Sequence, residues 1–243
     1  MAQRSSIMAW SLPLVVSLGL VLAAIQPARS EALTASPVVV ELFTSQGCSS
    51  CPPADANLIK VSDQPGVLAL SFGVTYWDYL GWQDTFARKE FTQRQMVYER
   101  PLGHAGAFTP QIVVNGRKDV IGHDLGELQD LIDAEATARG AETPPAIQHN
   151  AGRLEIGPAA LPAQPADIWL VRYDPNITEV PVARGENRRR VLPIKNSVRE
   201  LTRLGGWNGA AVTLDLPPPP DGLASAILVQ LPLGGEILAA ARL

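Results

Sequence analysis

The only two cysteines among 243 residues lie in one hexapeptide, Gly47-Cys48-Ser49-Ser50-Cys51-Pro52. Two thiols cannot build a disulfide-rich scaffold, nor supply a four-cysteine zinc or iron–sulfur site. The motif's setting narrows the choice further. Val38–Phe43 ahead of it is a β-branched and aromatic run that predicts a buried strand. Ala54–Val61 behind it predicts a short helix entered through Pro52-Pro53, where a missing N–H costs nothing. A CxxC at a strand-to-helix junction reads as a dithiol–disulfide redox site. Two intervening residues bring both sulfurs within bonding distance. The helix N-terminus offers free N–H groups and partial positive charge to a thiolate. Cys48 is the expected nucleophile and the more exposed thiol. Cys51, one turn further in, is the expected resolving thiol.

The rest of the chain fits a folded, exported protein. A hydrophobic fraction of 46% against 18% charged excludes a mainly disordered chain. A net charge of −4 argues against a nucleic-acid binder. Residues 1–30 read as an export signal: Arg4, then an apolar stretch from Ile7 to Ile25, then Ala28-Arg29-Ser30 as a cleavage site. The alternative is an uncleaved membrane anchor. The expected location is the periplasm or the exterior, with no stable membrane span after cleavage.

From residue 31 to 140 strands and helices alternate. Val67–Val74 reads as a second strand and Thr85–Tyr98 as an amphipathic helix. Gln111–Val114 and Lys118–Ile121 read as a hairpin about Asn115-Gly116. A last helix starts at Asp124 and runs to Arg139-Gly140, giving the order β-α-β-α-β-β-α. Residues 141–145 form the expected linker. Residues 146–243 carry short strand candidates between turn signals: 146–150, 153–156, 167–173, 178–182, 191–195, 211–216, 225–231 and 237–242. They predict an all-β, sandwich-like second domain. Asn196–Leu204 fits helix and strand equally well.

A second element joins the CxxC. Thr109-Pro110 immediately precedes the Gln111 strand, where thioredoxin-like folds place a cis-proline facing the disulfide. By CxxC, Thr-Pro and element order, Val38–Arg139 resembles the thioredoxin superfamily. Glu41–Asp55, Tyr76–Trp82, Arg184-Gly185-Glu186-Asn187 and Val198-Arg199-Glu200-Leu201 look like a narrower bacterial family of secreted thioredoxin-like proteins of unknown function. The resemblance implies an α/β thioredoxin-like domain followed by the β-rich domain, and names no substrate. The Ser49-Ser50 centre departs from the Gly-Pro of the best-known thioredoxins.

The expected function is thiol–disulfide exchange at Cys48 and Cys51 on a protein or small thiol, with no organic cofactor and no assigned metal. Thr109 and Pro110 would hold the substrate backbone. Tyr76 and Trp77, with Asp78 and Trp82, follow the end of the second strand and either line a substrate groove or close the core. Two groups are candidates for proton transfer. Glu41 is a charge inside an apolar strand, and either accepts a proton beneath the cysteines, lies on the solvent side or is hydrogen-bonded to the second domain. His104, in a glycine-rich loop, either reaches the thiols or sits in solvent. Arg188-Arg189-Arg190, with Arg184 nearby, either contacts an acidic partner or is a solvated hairpin tip, the reading that suits an acidic protein. Two rival functions use the same residues: soft-metal binding or delivery, for which His104 would be a third ligand, and a thioredoxin-like binding module whose disulfide only stabilises it.

Overall fold

The computed structural model describes residues 36–141, 143–160 and 162–243, and Met1. The export signal expected at 1–30 falls, Met1 apart, outside the described residues.

Val38–Thr44 (β1) and Val67–Gly73 (β2) run parallel, from Val38 opposite Val67 to Thr44 opposite Gly73. Every residue of both is buried, as suits apolar strands covered on both faces. Helix α1, Pro52–Ser62, connects them. A 3-10 turn at Asp78–Leu80 leads to α2, Lys89–Glu99. That helix starts later than expected because Asp84 Oδ1 accepts the N–H groups of Phe86 and Ala87, at 2.8 and 3.1 Å, in a turn. Strand β3, Gln111–Val114, is antiparallel to β1, and β4, Lys118–Val120, returns beside it. Their turn has positive φ at Asn115 (50°) and Gly116 (68°), the conformation an Asn-Gly hairpin selects. Helix α3, Leu125–Gly140, is capped by Asp124, whose side chain accepts from the N–H of Gly126 and Glu127. The expected order of elements is therefore present over 38–140.

The second half departs from expectation. Two pairs of expected segments merge. Ala166–Pro181 (β7) is one long strand, bent but not ended by irregular pairing between Asp174 and Ile177. Val191–Trp207 (β8) takes in the ambiguous Asn196–Leu204 as strand. Strands β10 (Ala224–Gln230) and β11 (Ile237–Arg242) continue outward from β7. The result is one eight-stranded sheet, ordered β11-β10-β7-β8-β2-β1-β3-β4. The expected split into a 31–140 domain and a separate 146–243 sandwich-like domain is thus corrected: the described residues from 36 onward lie in one compact unit. The physical reason is the edge of β2. Its apolar residues are buried, so it needs a neighbouring strand, and β8 supplies one with Ser197 opposite Ser71.

Each face of this sheet is covered. Helices α1 and α3 pack on one side of β1–β3 through Val40, Leu42, Leu58, Leu128 and Ile132. A second sheet, β5 (Ile147–Asn150), β6 (Arg153–Ile156) and β9 (Val212–Asp215), packs with Ile168, Ile227, Val229 and Trp207. Helix α2 covers the other face, where Phe91 and Tyr98 meet Phe43, Phe72, Val171 and Leu228. No helix among the described residues is long and apolar enough to cross a membrane.

One polar cluster interrupts the α2 layer. Arg94 Nε donates to Glu41 Oε1 at 2.6 Å with both side chains buried. The Tyr98 hydroxyl donates to the other carboxylate oxygen. Gln230 accepts from Arg94 at 3.1 Å and donates to Tyr98 at 2.8 Å. Removing one member strands a buried charge. Arg94→Ala should cost about 3–5 kcal/mol in urea unfolding. The double variant Glu41→Leu/Arg94→Met should recover most of that loss. An Arg94→Ala protein within about 1 kcal/mol of wild type would remove this cluster from the stability account.

Candidate active site

Cys48 and Cys51 form a disulfide with their Cα atoms 5.5 Å apart. Cys51 is the N-cap of α1, and its carbonyl accepts from Ala54 and Asp55 at 2.9 and 3.1 Å. The next two residues, Pro52 and Pro53, carry no N–H. The helix start therefore presents fewer free donors to a thiolate than an ordinary first turn would. Neither cysteine has exposed surface, which corrects the expectation that Cys48 is the more open thiol. Only Ser49 and Ser50 between them are exposed.

The burial comes from residues far away in sequence. The β7–β8 hairpin tip reaches the CxxC loop. Asn187 Nδ2 donates to the carbonyls of Gln46 (3.1 Å) and Cys48 (2.8 Å). The Ser49 N–H donates to Glu186 Oε2 at 2.9 Å. Gly185, at φ +76°, lies so close that a Cβ there would sit 3.9 Å from the Gly47 Cα. Arg190 donates to Asn187 Oδ1 at 2.9 Å, so part of the Arg188–Arg190 run orients this tip.

On the other side lies Thr109-Pro110, whose peptide bond is cis. The Thr109 carbonyl is 3.9 Å from Cys48 Sγ and accepts from the Ser50 hydroxyl at 3.4 Å. Ser50 Oγ is itself 3.3 Å from Cys48 Sγ. Trp77 Nε1 donates to Thr109 Oγ1 at 2.7 Å and stacks on the exposed Tyr79. Thr109, Pro110 and Trp77 are thus brought to the cysteines. Tyr76 is one step removed: its hydroxyl donates to Gln95 at 3.1 Å, and burial pushes it up to about 12. Trp82 donates to Gln46 Oε1 at 2.9 Å and packs against the β7–β8 hairpin.

The two expected proton-transfer groups are elsewhere. Glu41 shares the α2 face with Val39 and Phe43, whereas α1 packs on the opposite face, and its carboxylate is committed to Arg94 and Tyr98. His104 Nε2 lies 2.7 Å from Asp119 Oδ2, beside the Phe108 ring, and has no contact with the sulfurs. Among the described residues no cluster of three or more His, Cys, Asp or Glu side chains could hold a metal ion.

Two other titratable groups lie on α1 or against the CxxC loop. Asp55 is buried in the first turn of α1, four residues after Cys51, so both side chains share one helix face. Its Oδ1 and the Thr44 hydroxyl have no hydrogen-bond partner among the described residues. Burial raises the Asp55 carboxyl from 3.8 to about 7, against the pull of the neighbouring Thr44 hydroxyl and with help from Asp84. His123 donates from Nε2 to the Ser50 carbonyl at 2.7 Å. The i, i+4 spacing from Cys51 was a signal for Asp55. Glu186 and Asn187 stand out only within the family-like 184–187 stretch and His123 not at all, and nothing local ties them to the motif, because only folding brings them there.

The chain belongs to the family described as protein of unknown function DUF1223, whose model matches residues 39–230. It is similar to the crystal structure of protein AGR_C_4864 from Agrobacterium tumefaciens. The two are 35% identical with a TM-score of 0.71, over 86% of this chain and 94% of that one. It also shares its fold with HBP35 of Porphyromonas gingivalis. There the TM-score is 0.58 at 16% identity, over 86% of this chain and 74% of that one. No curated protein matches it.

The Asp55 carboxyl generates a pH prediction. The folded state keeps a proton that the unfolded chain releases near 3.8, so this group's contribution to stability falls as pH rises from about 4 to about 7 and is level above that. Asp55→Asn removes the burden of burying a carboxylate. Urea unfolding should find the variant up to about 4 kcal/mol more stable than wild type at pH 8, with the gap closing by about pH 4. A gap that does not change with pH would show that Asp55 titrates in the folded protein as it does in the unfolded chain.

Proposed function

We propose that this member of the family is an exported thiol–disulfide oxidoreductase of thioredoxin-like fold, acting through Cys48 and Cys51. The carrying observation is the placement of the Cys48–Cys51 disulfide at the start of α1, against the carbonyl that precedes a cis-proline. The β-α-β-α-β-β-α order with β1 and β2 parallel and β3 antiparallel supports the fold assignment. The signal-like 1–30 segment supports export to an oxidising compartment, where such chemistry operates.

In the reducing direction the Cys48 thiolate attacks one sulfur of a substrate disulfide. The bond between the substrate sulfurs breaks and the leaving thiolate takes up a proton. Cys51 then loses its proton and attacks Cys48 Sγ, which restores the Cys48–Cys51 bond and releases the second substrate thiol. Asp55, four residues after Cys51 on α1 and with a carboxyl raised by burial to about 7, is the proposed acceptor of that proton. The reverse sequence oxidises a substrate dithiol. Thr109 offers the adjacent backbone carbonyl to a substrate chain. Because Cys48 is buried, access requires the 185–187 segment or the Trp77 side of the site to yield.

Reduced protein should reduce insulin disulfides, or its oxidised form should oxidise a reduced substrate protein. Cys48→Ser should abolish both activities. Cys51→Ser should accumulate mixed disulfides through Cys48. Wild-type protein that exchanges in neither direction, together with a Cys51→Ser variant that traps nothing, would sink this reading.

A further inference from the structure

The donors around Cys48 are few, and one is already taken. Pro52 and Pro53 supply none. The Cys51 N–H points to the Cys48 carbonyl at 3.3 Å. The Ser49 N–H is held by Glu186 at 2.9 Å, and the Ser49 hydroxyl together with that N–H holds the Glu186 carboxyl below the usual carboxylate range. The Ser50 hydroxyl lies 3.3 Å from Cys48 Sγ and 3.4 Å from the Thr109 carbonyl, and has one proton to share between them. A carboxylate at a helix start is ordinarily favourable. Here it competes with a second anion, the thiolate, for the same electropositive end of α1.

Resting on the redox reading above, we propose that Glu186 is a positioning residue that sets the acidity of Cys48. It does so by withholding the Ser49 N–H from the sulfur and fixing a negative charge beside the pair. Asn187, the next residue, holds it there by bonding the Gln46 and Cys48 carbonyls. The consequence has a definite sign. Glu186 disfavours the Cys48 thiolate, and so destabilises the reduced form relative to the disulfide. The β7–β8 hairpin thereby biases the pair toward donating electrons, whatever the substrate.

Other charged groups meet the same segment. Asp55 lies on the Cys51 face of α1. Asp84 accepts the Gln46 N–H at 2.8 Å, His123 donates to the Ser50 carbonyl, and Arg190 contacts Asn187. All are unchanged in a Glu186 variant, so substitution at 186 isolates its contribution.

The test compares Glu186→Gln, which keeps an acceptor but loses the charge, with Glu186→Ala, which also frees the Ser49 N–H. In a Cys51→Ser background, the Cys48 titration is followed by ultraviolet thiolate absorbance. Its pKa should fall in the order wild type, Glu186→Gln, Glu186→Ala, by about half a unit for the last. High salt should shrink the Glu186→Gln step, because that step is purely one of charge. With both cysteines present, Glu186→Ala should shift the equilibrium with glutathione about two- to fivefold toward the reduced form, or about 10–20 mV. An unchanged or raised Cys48 pKa in both variants, with melting temperatures at the wild-type value, would overturn the proposal. Failure of wild type to exchange disulfides would sink the oxidoreductase reading instead, and the thiol titrations would still decide the role of Glu186.

Discussion

The seam between β2 and β8 is the contact on which the rest of the architecture depends. β2 is apolar and buried along its whole length, so its outer edge cannot face water, and its backbone groups must find partners. The ladder there is short, with Ser71 opposite Ser197. Side chains complete it. Asn196 Nδ2 donates to the Ala69 carbonyl at 2.8 Å, and Arg242 reaches the Val67 carbonyl from the last strand. Lys195 adds an ion pair to Asp63, just beyond α1. A seam made this way joins two halves of different local grammar into one sheet.

The seam also explains the site. Because β8 lies beside β2, the β7–β8 hairpin extends past the strand ends toward the loop after β1. Its outer part packs on Trp82 and Phe86, and its tip closes over Gly47–Ser49. The 78–87 segment is tied to the same loop from a second direction, through Asp84 to the Gln46 N–H and through the Gln46 side chain to Thr85 and Trp82. The CxxC loop is therefore held by long-range contacts on several sides, and the cysteines lose the exposure that the motif alone suggests.

The first half was legible because its elements are specified locally. The β-branched runs of β1 and β2, the Asn115-Gly116 turn and the Asp124 cap each act within a few residues. The chain order over 38–140 follows from them. The junction of strand, CxxC and helix was equally plain, as was the Thr109-Pro110 step beside it. The long strands of the second half were harder to read. Pro175 and the irregular Asp174–Ile177 pairing look like a strand end in sequence, yet the β7–β8 ladder carries the strand through.

Glu41 and Asp55 show where sequence stops. Both are acids among apolar neighbours, and the chain near each says only that a buried carboxylate needs a partner. Folding assigns Glu41 to Arg94, Tyr98 and Gln230, and leaves Asp55 Oδ1 without one behind Cys51. Sequence by itself determined the CxxC motif, its place at a helix start and the local elements around it, because hydrophobic period, turn chemistry and capping act over short spans. Tertiary structure alone decided that both halves share one sheet, that Glu41 is paired with Arg94 and Tyr98, and that Glu186 and Asn187 bond the CxxC loop. Those outcomes depend on strand pairing and side-chain contacts between residues 130 or more positions apart in several cases, such as the 137 between Ser49 and Glu186, where local pattern carries no information.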